Sequence, residues 1–424
     1  MRIYSFILLL WLVPPVFADN LWQLYQQAKQ NNAGYQAALY QRDADQSTIK
    51  IVRSRAYPNL NLSAGLDKVW FSSDQQSTSY NDKLVNLGLR QPLYNRALSA
   101  SINQAKSLSQ QAGLNYNNET QSLIFSVANA YFNILIAQDE LHFSKAEKKA
   151  ILAQHEQATA LFEGGIVTIS DVYSAQAKAD QASATEINAE TALEQTKVAL
   201  AELLGGQPKT AIESLSAQSL LKTANEKTLD AWIKQAFDHS LQIKLAQQQI
   251  TSAQQQIKIK RAGHYPTLDL VANYRVIRSG RLFSVDNETT SLGIEFALPL
   301  YAGGGIQAET YQAQLQFQAA QSNYQQAQNT VERQVRDAYR AVQSSLSQIK
   351  AFKTAIASAE KSLEATQNEQ QAGVKTSLDV LTEQSILFAN RRNYAKARYQ
   401  NITNFLNLKK VVGVLSEMDI QNLK

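Results

Sequence analysis

YPNLNLSAGLDKVW occupies residues 57–70, and its frame returns as YPTLDLVANYRV at residues 265–276. In the first stretch Leu60, Leu62, Ala64, Leu66 and Trp70 alternate with Asn61, Ser63, Gly65 and Asp67. A period of two sends alternate side chains to opposite faces of a strand, so one face is apolar and the other wet. The second stretch repeats this less cleanly, with Leu268, Leu270, Ala272, Tyr274 and Val276 opposite Asp269, Asn273 and Arg275. Alternation comes back before each Pro-Leu-Tyr: Val85, Leu87 and Leu89 against Asn86, Gly88 and Arg90, then Leu292, Ile294, Phe296 and Leu298 against Gly293, Glu295 and Ala297. The polar segments SSDQQSTSYND (72–82) and SGRLFSVDNETT (279–290) join the members of each pair. Two hairpins are expected, with strands at about 59–71, 83–91, 267–278 and 289–298. Strands of about ten residues can cross a bilayer at a tilt. A pair of soluble hairpins packed on a helical layer fits the alternation equally well.

The recurrence is part of a longer duplication. Outside Pro14 and Pro15 the prolines are Pro58, Pro92, Pro208, Pro266 and Pro299; Pro58 and Pro266 lie 208 residues apart, Pro92 and Pro299 lie 207 apart. At the same offset Gly165 answers Gly373, Thr168 answers Thr376, Asp171 answers Asp379 and Gly205 answers Gly413. A unit of about 200 residues used twice implies two equivalent halves, not a solenoid of short repeats. The expected organisation is a signal peptide at 1–18, a first repeat at 19–207, a linker at 208–227, a second repeat at 228–413 and a tail at 414–424.

Between these landmarks the sequence is helical. Residues 114–163 and 306–372 contain neither Gly nor Pro and are rich in Ala, Gln, Leu, Glu and Lys. A helix over the second stretch would be about 100 Å long and needs a partner along its length. Val335, Ala338, Val342, Ser345, Ile349, Phe352, Ile356, Ala359 and Leu363 supply a seam of alternating three- and four-residue steps. A simple two-stranded rod fits that segment as well. Gly164, Gly165 and Gly373 interrupt the helices at equivalent points, and Thr168 to Asp171 and Thr376 to Asp379 restart them as capping boxes. Each half thus holds a helical hairpin, turning near 164–168 and near 372–376. Tyr57, Pro58, Tyr265 and Pro266 mark where helix becomes strand; Pro92 and Pro299 mark the return.

Several function classes drop out. The first 18 residues have one Arg, an apolar run and small residues before Asp19, as a secretory signal does. No later stretch is expected to form a transmembrane helix. With no Cys there is no disulfide, thiolate site or acylated anchor. The net charge of +5 is scattered among Gln, Asn and Ala, which indicates a solvated surface and no nucleic-acid partner. His142, His155, His239 and His264 have no HExxH spacing, and AGGG at 302–305 lacks the Lys-Ser/Thr ending of a phosphate loop, so neither an enzyme nor a cofactor is indicated. Four strands cannot close a barrel, and an open edge in lipid leaves backbone groups unpaired. If the hairpins enter a membrane, several chains must pool them.

LWQLYQQAKQNN (21–32), ANAYFNILIAQD (128–139), LLGG (203–206), YPTLDL (265–270), LPLYAGG (298–304) and GVKTSLDVL (373–381) in this order resemble the TolC-like outer membrane efflux channels over nearly the whole chain. The resemblance implies a mainly α fold with a membrane β-barrel: a homotrimer with a twelve-stranded barrel in outer membrane lipid, continued by a coiled-coil helical tube into the periplasm. It implies docking with a periplasmic adaptor and an inner-membrane transporter of the RND, ABC or MFS type, for drug efflux or type I protein secretion. By the same resemblance Asp379 matches an acidic pore ring open to divalent block, and the second ring position is Thr382, followed by Glu383. The latch positions fall on Gln370 and Lys375, with Asp171 as their partner. Adaptor tips would meet Gly164, Gly165, Thr168, Gly373 and Thr376. The rival is a periplasmic adaptor or structural coiled-coil protein, equally long-helical, with one helical hairpin where this chain has two.

Overall fold

The computed structural model describes residues 21–74, 76–208, 212, 227–280, 286–421 and 423. The signal peptide, most of the linker and residues 281–285 lie outside them. The order is α1 (Leu21–Asn31), α2 (Ala33–Ser54), β1 (Asn59–Ser73), β2 (Gln76–Tyr94), α3 (Arg96–Glu163), α4 (Ile169–Leu204), α5 (Leu229–His239), α6 (Leu241–Arg261), β3 (Thr267–Ser279), β4 (Asn287–Ala297), α7 (Gly305–Gln371), α8 (Ser377–Val412) and α9 (Glu417–Gln421). The duplication holds element by element. Helices α3 and α7 have 68 and 67 residues, α4 and α8 have 36 each, α1 and α5 have 11 each, and α2 and α6 have 22 and 21.

The chain forms two compact units. One holds Ala37–Asn118 and Leu241–Val331, and so contains the sheet; the other holds the residues up to Gln36, Glu119–Ser240 and Glu332–Lys424. In the sheet unit β1, β2, β3 and β4 pair antiparallel in sequence order, which leaves β1 and β4 as the two edges. Register sorts the side chains into rows. Leu60, Leu89, Ala272 and Leu292 face one another across the four strands; the next row, on the opposite face, is Asn61, Gly88, Asn273 and Ser291. On the apolar face Leu62, Leu66, Leu292, Ile294 and Phe296 are each at least 63 % exposed. Nothing among the described residues covers that face, as expected of a sheet that meets lipid and not of a hairpin packed on helices.

Two differences from the sequence reading concern β2. It begins at Gln76, so seven residues read as loop, 76–82, pair with β1. Ser77, Thr78 and Ser79 carry no apolar alternation, although Thr78 and Ser79 stand opposite Phe71 and Trp70 of β1. Pro92 lies inside β2 and not at its end; β1 stops pairing at Asn59 opposite Arg90, and the ladder to β3 shifts between Pro92 and Tyr94. A residue without an N–H sits where one neighbour is already gone and a bulge absorbs the loss.

The helical unit is cored by Tyr25, Ile124, Tyr131, Phe132, Ile134 and Leu135, all at most 1 % exposed. This explains one further difference. A window of α3 is long and apolar enough to cross a membrane by composition, yet 56 % of it is buried inside the chain, as in a core helix. In α7 the seam is buried at Val335, Ala338, Val342, Ser345, Ile349 and Ala359, while Phe352, Ile356 and Leu363 are half-buried. Asn401 of α8 donates to the Val342 carbonyl at 3.3 Å and to Ser345 Oγ at 2.9 Å, so the polar member of the seam is satisfied. The short α9 is tied back, with Glu417 accepting from the Tyr25 hydroxyl and Lys29 Nζ, both at 2.7 Å. Burial raises the Glu417 carboxyl, but these two donors outweigh it and hold the group below its usual range.

Candidate functional site

Each hairpin ends in the same turn. Gly165 N–H donates to the Phe162 carbonyl and Ile166 N–H to that of Leu161, both at 2.9 Å; Gly373 N–H reaches Gln370 at 3.0 Å and Val374 N–H reaches Glu369 at 2.9 Å. This closes the last carbonyls of α3 and α7 and needs a left-handed residue, supplied by Gly165 at φ 73° and Gly373 at φ 77°. Gly164 precedes the first turn with an ordinary φ. The residue after each turning glycine is aliphatic and uncovered: Ile166 is 72 % exposed and Val374 is 73 % exposed.

The restart follows. Asp379 Oδ2 accepts from the Thr376 N–H at 2.9 Å and the Thr376 hydroxyl at 2.8 Å, and Asp379 N–H donates back to Thr376 Oγ1 at 3.3 Å. Asp171 accepts likewise from Thr168 N–H and Oγ1 at 2.9 and 2.7 Å, while its own N–H goes to the Thr168 carbonyl at 3.1 Å. The backbone and hydroxyl bonds from Thr376, with Lys375 nearby, hold the Asp379 carboxyl below its usual range. Glu383 stands four residues along α8, hence on the same face and about 6 Å farther along the axis. Between them the Thr382 hydroxyl donates to the Leu378 carbonyl at 2.8 Å.

Gln370 Nε2 donates to Ser377 Oγ at 2.9 Å and Asp171 is engaged by Thr168. Among the described residues no hydrogen bond or ion pair joins Asp171 to Gln370 or Lys375. At the helix–strand junctions Tyr57 is exposed beside Pro58, and Tyr265, next to Pro266, lies under the Arg96 guanidinium, 4.0 Å from its ring centre. Pro299 lies just past the end of β4.

Three groupings escaped the sequence. On the wet face of the sheet Arg90 Nη2 lies 2.6 Å from Asp269 and 3.4 Å from Glu295. In the helical unit an open groove of about 730 Å³ is lined by Asn129, Asn133, Thr196, Gln400 and Asn404, with Glu140 and Lys396 its charged members. Arg392 joins α8 to Glu140 and Glu147 of α3. The only signal for the last was the seven-residue spacing of the two Glu residues on one helix. Among the described residues no cluster able to hold a metal exists; the groove is polar and open, whereas Asp269 and the Arg392–Glu147 pair are largely buried.

The family model for outer membrane efflux proteins matches residues 24–206 and 232–414, once per half. The chain belongs to that family. As an outer membrane efflux protein it is 32 % identical over 417 residues to the outer membrane protein TolC of Vibrio cholerae, covering 96 % of this chain and 94 % of the relative. It is 25 % identical over 418 residues to the proteases secretion protein PrtF of Dickeya chrysanthemi, covering 96 % and 90 %. In fold it matches the crystal structure of CusC with a TM-score of 0.83 at 19 % identity, over 94 % of this chain and 93 % of the other. The family is one of outer membrane channel proteins and not of enzymes, and the adaptor reading is set aside.

Proposed function

We propose that three copies of this efflux protein pool their strands into one twelve-stranded barrel and form an exit duct through the outer membrane. The observation that carries this is the sheet: an uncovered apolar face, a polar face of Asn, Gly and Ser, and two unpaired edges. Edge pairing between copies is what lipid demands of such a sheet. The duct continues through the helices and takes its cargo from a periplasmic adaptor and an inner-membrane transporter that meet the hairpin tips. Exposed Ile166 and Val374, which follow the tip glycines, support a docking surface there. Relatives named for TolC and for protease secretion support drug efflux and type I protein secretion as its two uses.

In this reading α8 lines the narrow end. Asp379 supplies one carboxylate ring in the trimer, and the second ring position is Thr382, followed by Glu383, so the ring is only half retained. Lys375 carries a point charge without the planar fork of Arg, so a latch through Asp171 and Gln370 is loose. The test is single-channel current through the purified mature protein in a planar bilayer, with divalent cations added on the periplasmic side. Small cation-selective openings blocked by those ions are expected. Silence from demonstrably inserted protein would overturn the duct.

A further inference from the structure

Within the helical unit the two hairpins meet along α3 and α8, and toward the tips they share one apolar cluster of Ile151 and Ala158 of α3, Ala175, Ala179 and Ala182 of α4 and Leu381 of α8. Between hairpins, Arg392 Nη1 reaches Glu147 Oε2 at 2.5 Å and its Nε reaches Glu140 Oε1 at 3.3 Å. The Arg392 and Glu147 side chains are only 17 % and 11 % exposed. Seven residues on along α8 stands Tyr399, close to Asp139 of α3 and stacked 6.1 Å from Phe132. Burial, then the Asp139 charge, pushes the Tyr399 hydroxyl up to about 12, and burial also raises Asp139. In the other direction, seven residues on along α3 and eight back along α8, stand Gln154 and Gln384, each burying an amide atom without a partner. A polar layer therefore recurs about once per heptad along this seam.

A buried ion pair adds little stability over an apolar pair of the same volume, but it has one matching partner position, whereas small apolar residues pack almost equally well one heptad away. We propose that Arg392 is a register pin: its bridge to Glu147 and Glu140 fixes where the second hairpin sits along the first. The consequence for the channel rests on the pore reading of Asp379, which the same helix carries. A slip of one heptad displaces α8 by about 10 Å along α3 and would carry the acidic ring with it.

Arg391 provides an internal control. It turns the other way, to Glu360 of its own hairpin at 2.8 Å, so Arg391→Met removes the same charge and leaves the α3–α8 bridge intact. The chain lacks Cys, so spin labels at exposed Gln157→Cys on α3 and Asn393→Cys on α8 report register in the full-length protein without competing thiols. The unsubstituted chain and Arg391→Met should each show one distance population and one conductance level. Arg392→Met with Glu147→Leu should keep its thermal midpoint yet split into two populations displaced by about 10 Å, with more than one conductance level. A single unshifted population in that pair, or the same split in Arg391→Met, overturns the pin. Should that pair fail to fold, Arg392→Lys, which can reach only one carboxylate, must broaden the distance; an unchanged distance overturns the proposal. A parent channel that never conducts would sink the duct reading, while the label distances still decide the pin.

Discussion

Asp379 holds two roles in one carboxylate. It caps α8 through Thr376 and, in the proposed trimer, faces its copies across the pore. The roles separate by substitution. Asp379→Asn keeps an acceptor for the Thr376 N–H, so the fold and its expression should be retained, while cation selectivity drops. Reversal potentials in asymmetric KCl measure it, and unchanged selectivity would remove Asp379 from the pore. The pH sign follows from the lowered carboxyl. A group held below its unfolded value stabilises the fold at pH above that value, 3.8 for Asp, and loses the contribution as pH falls through the folded value. Cap and charge therefore persist through mild acid and fail together only in strong acid. The cap was legible in sequence because Thr-x-x-Asp after a glycine is a local motif. Arg392 was not: on helices dense with Lys, Glu and Gln, a buried long-range pair has the same composition as a solvated face, and only the fold distinguishes them.

At the scale of elements, the strand rows make a prediction that the helices cannot. Leu292 and Asn273 lie on neighbouring strands and in adjacent rows, but on opposite faces. Leu292→Arg places a charge in hydrocarbon, at a cost of about 2–4 kcal/mol near the bilayer centre. Asn273→Arg places the same charge on the wet face. The first variant should be lost from the outer membrane fraction and the second retained; equal recovery of both would mean that the apolar face does not meet lipid. Element types were readable because both periods are strong here: two for the strands, and a Gly- and Pro-free run broken by paired glycines for the helices. Residues 76–82 were misread for a physical reason. Alternation needs an apolar residue at every second position, and QSTSYND places polar residues on both faces with Tyr80 as the one aromatic, so the stretch leaves no such record. The breaks at Asn32 and Ser240 that divide α1 from α2 and α5 from α6 carry no Pro or Gly and were equally silent.

For the whole molecule, the number of copies follows from what fills the barrel. Two copies would give eight strands, an interior just wide enough for side chains to fill. The wet face here offers the row Asn61, Gly88, Asn273 and Ser291, too small to fill such an interior, and exposed charged Arg90 and Glu295 that call for water beside them. A wider, hydrated lumen fits these residues, and twelve strands from three copies is the next closed barrel this four-stranded unit can build. The edges make the count measurable. In the proposed barrel β1 and β4 pair between copies, so neighbours would be held along a full strand, and amine-reactive cross-linking of intact outer membranes should give a ladder that stops at three. A ladder stopping at two would contradict a water-filled lumen, because eight strands would have to close around small side chains. A stop at four would keep the hydrated duct and overturn the trimer, since sixteen strands also enclose water.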